Sequence, residues 1–157
     1  SRQNLPVLDP VKVQDAVKGG YILEEGSAGL PEVILVATGS EVSLALQARE
    51  TLEADGTSVR VVSMPCVEWF AAQPEAYRQQ VLPPEIKARV SIEAAVPQGW
   101  REIVGDSGEI VAIDHFGASA EGSVVFEQFG FTPDRVVAAA RAALERAGRI
   151  RGTTTGN

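Results

Sequence analysis

Three places in this chain combine residue types that phosphate or acid–base chemistry uses. The turn Thr38-Gly39-Ser40-Glu41 lies between an apolar run and a helical pattern. Parallel α/β proteins often bind phosphates at such turns, on the N-terminus of the following helix. Here the turn holds one glycine and matches neither G-x-G-x-x-G nor G-x-x-x-x-G-K. Glu41 would repel a phosphate and complements the helix dipole itself. The expectation is a tight turn and a helix capped by Ser40. The stretch from Gly117 to Val124, GASAEGSV, resembles a phosphate loop, but Ser123 stands where the phosphate-reading lysine belongs. Glu121 adds the wrong charge, so a glycine loop at a strand end is favoured. Asp114-His115 precedes that loop and invites an acid–base reading. Sequence neighbours at a strand end point in opposite directions, and no nucleophile accompanies them.

Cys66 is the sole cysteine and His115 the sole histidine, so neither a zinc cluster nor an internal disulfide can form. A reducing compartment, the cytoplasm, follows as the simpler expectation. A nucleophilic thiol wants a basic environment. Glu68 argues against one, and Cys66 is expected to be buried or half-buried. Trp69, Phe70 and Trp100 read as packing or interface anchors. Arg2, taken alone, is a solvated residue of a polar tail.

The elements that position these residues follow from pattern. A chain of 157 residues suits one domain. A net charge of −7 and a pI near 4.8 argue against a free-standing basic face for nucleic acid or anionic lipid. No apolar run approaches the length of a membrane-spanning helix, and no signal-peptide pattern is visible. The opening SRQNLPVLDP looks cut from a longer polypeptide. Residues 1–18, with Pro6 and Pro10, read as a linker from a preceding domain. The domain proper spans 19–149, and 150–157 form a flexible tail.

Within the domain, Tyr21 to Leu23 is a short strand and Val33 to Ala37 a strand covered on both faces. A helix is expected from about Ser40 to Ala54, burying Leu44, Ala45, Ala48 and Leu52 and ending at Asp55-Gly56. Val59 to Ser63, Ala88 to Glu93 and Glu109 to Asp114 are further core strands. Glu68 to Leu82 is mixed helix and loop with Pro74 as first helical residue. Short helices are expected at Gly99 to Val104 and Ser123 to Phe129. Thr132-Pro133 opens a last helix that buries Val136, Val137, Ala140, Ala143 and Leu144 and stops at Gly148. The alternation predicts an α/β fold of three layers, with a mostly parallel sheet between helices.

Several stretches together resemble the C-terminal part of transketolase. They are SRQNLP (1–6), GGYIL (19–23), VILVATGSEVS (33–43), VVSMP (61–65), residues 77–83, FGAS (116–119) and FGFT (129–132), in the family's order. MPCVEWF (64–70) looks like the actinobacterial branch. The resemblance implies a five-stranded sheet with one antiparallel strand, Tyr21 to Leu23 being the fifth. It implies a parent enzyme of the pentose phosphate pathway that moves a two-carbon ketol unit from a ketose phosphate to an aldose phosphate. That parent uses thiamine diphosphate and a divalent cation, magnesium or calcium, between its other two domains in a homodimer.

No cofactor is expected in this piece, which would be structural and catalytically inert. One functional position carries over: the arginine of the family's Ser-Arg-Gln stretch binds the substrate phosphate, and here it is Arg2. A guanidinium suits that task by bidentate pairing. His115 falls where family members vary. The alternatives are a related thiamine enzyme (deoxyxylulose-phosphate synthase or a 2-oxoacid dehydrogenase subunit) and a stand-alone doubly wound module binding a ligand or protein. SRQ and FGFT favour transketolase over the first.

Overall fold

Every residue of the strand Val33–Ala37 is buried, because helices cover both of its faces. This strand, β2, is the middle of a sheet in a computed structural model that describes residues 14–94, 99–112 and 130–154, the last six as backbone only. Its neighbours are β3 (Val59–Ser63) and β4 (Arg89–Glu93), both parallel to it. Leu35 faces Val61 on one side and Val90 on the other. β5 (Glu109–Ala112) continues the parallel set beyond β4. β1 (Tyr21–Glu24) closes the opposite edge, antiparallel to β3, with a register irregularity between Ile22 and Glu24. The order is β1-β3-β2-β4-β5. The predicted mixed five-stranded sheet is therefore observed.

Alternate residues of β2 divide the core into two layers, as strand geometry requires. Val33, Leu35 and Ala37 pack with Ala45, Ala48 and Leu52 of α1 (Val42–Ala54) and with Val136, Ala140 and Ala143 of α5 (Pro133–Thr154). Ile34 and Val36 face the other way, toward Met64, Phe70 of α2 (Val67–Ala71), Val81 of α3 (Glu75–Val81) and Ile103 of α4 (Arg101–Val104). Small alanines on α1 and α5 let these two helices lie close over the sheet. Thr132 caps α5, its Oγ1 accepting from the Arg135 N–H at 3.2 Å.

Four local expectations are corrected. Ser40 is not a helix cap: Gly39–Glu41 form a 3-10 turn, and the helix begins at Val42 without a side-chain cap bond. Gly39 has φ 54°, a left-handed value that glycine adopts at little cost. The later start brings Val42 into the buried stripe and leaves Leu44 half-buried. Pro74 precedes α3 with ψ 144° and is not its first helical residue. Gly148 does not stop α5, which runs to Thr154 and takes in part of the expected tail. A glycine inside a helix costs only about 1 kcal/mol relative to alanine, too little to end one by itself.

Residues 14–18, read as linker, form a 3-10 turn on the domain. The backbone passes so close at Gly19 that a Cβ there would lie 2.4 Å from the Cys66 carbonyl oxygen. Gly19 also has φ 82°. Its carbonyl accepts from the Cys66 N–H at 3.0 Å, and Tyr77 Oη donates to the Gly20 carbonyl at 2.8 Å. Arg2, Asp114, His115, the loop from Gly117 and the helix expected at Ser123 to Phe129 lie outside the described residues.

Candidate functional site

From β2 the chain moves to β3 on one side, then crosses to β4 on the other. Ligands of open α/β sheets bind where strand order reverses in this way, at the carboxyl ends. Here those ends carry Thr38, just after β2, and Glu93, the last residue of β4. Thr38 Oγ1 donates to Glu93 Oε2 at 2.5 Å. Glu41, from the adjoining 3-10 turn, is 5% exposed. Its Oε1 accepts from Ser40 Oγ at 3.1 Å. Burial pushes the Glu41 carboxyl above its ordinary value, and the charge of Glu93 adds to that. Its own backbone N–H and Ser40 oppose the rise only in part.

Among the described residues this end of the sheet is thus acidic, and the hydroxyls of Thr38 and Ser40 are engaged by the carboxylates of Glu93 and Glu41. Such a constellation disfavours a phosphate or diphosphate. It tethers the start of α1 to β4. No group of three or more His, Cys, Asp or Glu that could hold a metal occurs among the described residues.

A second hollow, of about 340 Å³, opens on the other face between α2, α3, β4 and α4. Val67, Phe70, Arg78, Leu82, Arg89 and Ile103 are among its lining residues. Arg89 is committed to the backbone: it donates to the carbonyls of Ile86 at 2.9 Å, Ile103 at 2.8 Å, and Pro83 at 2.8 Å. A longer bond reaches the Leu82 carbonyl at 3.3 Å. Burial lowers its pKa from the usual arginine value. This guanidinium ties the ends of α3 and α4 to β4; it is a clamp first and a wall of the hollow second.

The other expected candidates separate. Cys66 is half-buried, with Sγ 3.4 Å from Glu68 Oε2, so a carboxylate and not a cation faces the thiol. Phe70 and Trp100 pack in the core as anticipated, while Trp69 is 59% exposed. Two residues escaped the sequence reading. In the sequence Glu93 reads only as the end of a strand and Arg60 as part of an apolar one. Arg60 is buried, and its Nε and Nη2 donate to the two oxygens of Glu25 at 2.7 and 3.0 Å. An arginine inside VRVVS was the signal, since a charge in a covered strand demands a partner.

The family model described as "Transketolase-like TK C-terminal domain" matches residues 19–132. The transketolase of Mycobacterium leprae is 51% identical over 148 residues, covering 92% of this chain and 21% of its own length. The chloroplastic transketolase of Solanum tuberosum is 47% identical over 142 residues, covering 90% and 19%. The solved transketolase of Leishmania mexicana superposes with TM-score 0.82 at 38% identity, over 92% of this chain and 20% of that one. A split-gene transketolase, described as an inactive β4 tetramer, shares the fold at 23% identity, TM-score 0.71, over 93% and 48%. The chain spans about a fifth of the length of the curated relatives it matches.

Proposed function

This chain belongs to the transketolase family as its C-terminal domain, and on that premise we propose that it is the non-catalytic part of a ketol-transferring enzyme. The parent moves a two-carbon unit between sugar phosphates, in the pentose phosphate pathway of the cytoplasm. The acidic crevice at the carboxyl ends of β2 and β4 carries this reading. It occupies the position where an α/β domain would take an anionic cofactor, and Glu41 with Glu93 makes that position unsuitable for a diphosphate.

Thiamine diphosphate and its divalent cation, magnesium or calcium, do not fit the described residues. They belong to the two domains outside this chain. Those domains and the second subunit of a homodimer are its partners. Arg2 is the residue of this chain that reaches substrate, pairing its guanidinium with the sugar phosphate. No step of the reaction runs through the other residues named here.

The test has two arms. The 157-residue chain, supplied with thiamine diphosphate, magnesium and sugar phosphates, should show no turnover. In the full parent, Arg2→Ala should raise KM for the sugar phosphate about tenfold to a hundredfold, matching a lost charge-assisted pair of roughly 1.5–3 kcal/mol. Thiamine affinity should stay unchanged. Turnover by the chain alone, or an unchanged KM, refutes the corresponding half.

A further inference from the structure

Arg78 and Arg89 both line the hollow between α2, α3, β4 and α4, and among the described residues neither takes part in an ion pair. Arg60, Arg141 and Arg146, by contrast, each sit on a carboxylate. The Nε of Arg78 donates to the Gln73 carbonyl at 3.1 Å, and both of its Nη atoms lack a partner among the described residues. Arg89 is half-buried, and its four bonds to carbonyls use four of the five N–H groups of a guanidinium. One Nη1 N–H is left over. Two carboxylates line the same hollow. Glu75 Oε1 accepts from Gln79 Nε2 at 2.8 Å, and Glu102 accepts no hydrogen bond from a described residue. Between these charges lie Phe70, Leu82 and Ile103, all buried in the core and each contributing to the lining.

We infer that this hollow binds an apolar α-amino acid. The wall carries two positive and two negative side chains, so a bare anion meets the glutamates and a bare cation meets the arginines. A zwitterion satisfies both signs. Its carboxylate pairs with the Arg78 guanidinium, with the spare Arg89 N–H as a further donor. Its ammonium is held by Glu75 and Glu102, and its side chain lies on Phe70, Leu82 and Ile103. The volume of about 340 Å³ stands at the lower end of ligand pockets and suits a molecule of about a dozen non-hydrogen atoms. A sugar phosphate does not suit it: a dianion would stand among two carboxylates, with hydroxyls against an apolar floor. The site is thus separate from ketol transfer and does not rest on that reading.

Saturation-transfer NMR with L-phenylalanine as the probe tests this on the full parent and on the 157-residue chain. Both should give a saturable signal with a low-millimolar Kd, which is what about a dozen non-hydrogen atoms support at ordinary ligand efficiency. Arg78→Gln should weaken binding at least about tenfold, as loss of a charge-assisted pair requires. Ala71→Trp fills the hollow from an exposed lining position, keeps all four charges and should abolish the signal. Arg135→Gln, at an exposed position on α5, should leave it unchanged. 3-Phenylpropanoate, which lacks the ammonium, and phenethylamine, which lacks the carboxylate, should each bind at least about fivefold more weakly. Absence of a saturable signal overturns the inference. So does binding that survives both Arg78→Gln and Ala71→Trp, which places the probe elsewhere. Equal affinity for 3-phenylpropanoate overturns the zwitterion. Binding by the chain and not by the parent overturns the site as one the enzyme uses.

Discussion

Thr38 and Glu93 are joined by a 2.5 Å hydrogen bond across 55 residues of sequence, at the carboxyl ends of β2 and β4. The bond is possible because these strands pair in parallel, with Ala37 opposite Ile92, which brings the next residue of each chain together. It fastens the turn that starts α1 to the next strand over. The Thr38→Val variant keeps the shape and removes the donor. It should lose about 1.5–3 kcal/mol, the usual contribution of a hydrogen bond to a charged group. Urea unfolding measures this, and Thr38→Ser should recover most of it. A neutral Thr38→Val change would show that water satisfies Glu93 equally well.

Glu41 titrates against the fold. Its folded-state pKa is raised by burial and by Glu93, so the native state holds its proton more tightly than the unfolded chain does. The stability tied to that proton is present below the ordinary carboxylate pKa and is lost as pH rises through the folded value. The Glu41→Gln variant lacks this dependence. Its stability relative to the unmodified chain should therefore improve between about pH 4 and pH 7. A difference that stays flat over that range contradicts the assignment.

Glu53 behaves in the opposite sense. Its carboxylate accepts from Ser27 Oγ and, at 2.8 Å, from the Val59 N–H. These bonds, Ser27 first, hold its pKa below the ordinary value. The stability it supplies is present above the unfolded-state pKa and disappears as pH falls through the folded one. The Glu53→Gln variant should be destabilised at pH 7, and its deficit should shrink as pH falls below the ordinary carboxylate value. Chemical denaturation across that range decides it.

Gly19 has no room for a side chain. An added Cβ would meet the Cys66 carbonyl and, at 2.5 Å, the Phe70 N–H, both backbone atoms. The positive φ adds its own cost. Together these make Gly19→Ala destabilising by roughly 2–4 kcal/mol. Gly29→Ala, also at positive φ but with open space around it, should cost only about 1–2 kcal/mol. Similar losses at the two sites would mean that the close approach at Gly19 relaxes freely.

Much of the sheet was legible because VILVA, VRVVS and RVSIE are runs that only a covered strand explains. β1 was readable as a strand from Tyr21-Ile22-Leu23, but its antiparallel sense came with the family resemblance. Local geometry limited the rest. One residue separates Phe70, buried, from Trp69, exposed, because a helix turns by about 100° per residue, and no local signal sets its phase. The 3-10 turn displaced the start of α1 by two residues and so exchanged Leu44 for Val42 in the stripe. The acidic crevice was half visible: Glu41 stood in a conspicuous turn, whereas Glu93 reaches it only through strand pairing. Gly148 misled because glycine often marks a helix end without enforcing one.

The irregular register of β1 has a consequence at the boundary of the sheet. An edge strand offers unpaired backbone groups to any other extended chain. β1 is four residues long, slips between Ile22 and Glu24, and runs into Glu24-Glu25. A strand arriving from outside would find too few groups in step. This margin of the sheet is thereby a poor template for aggregation.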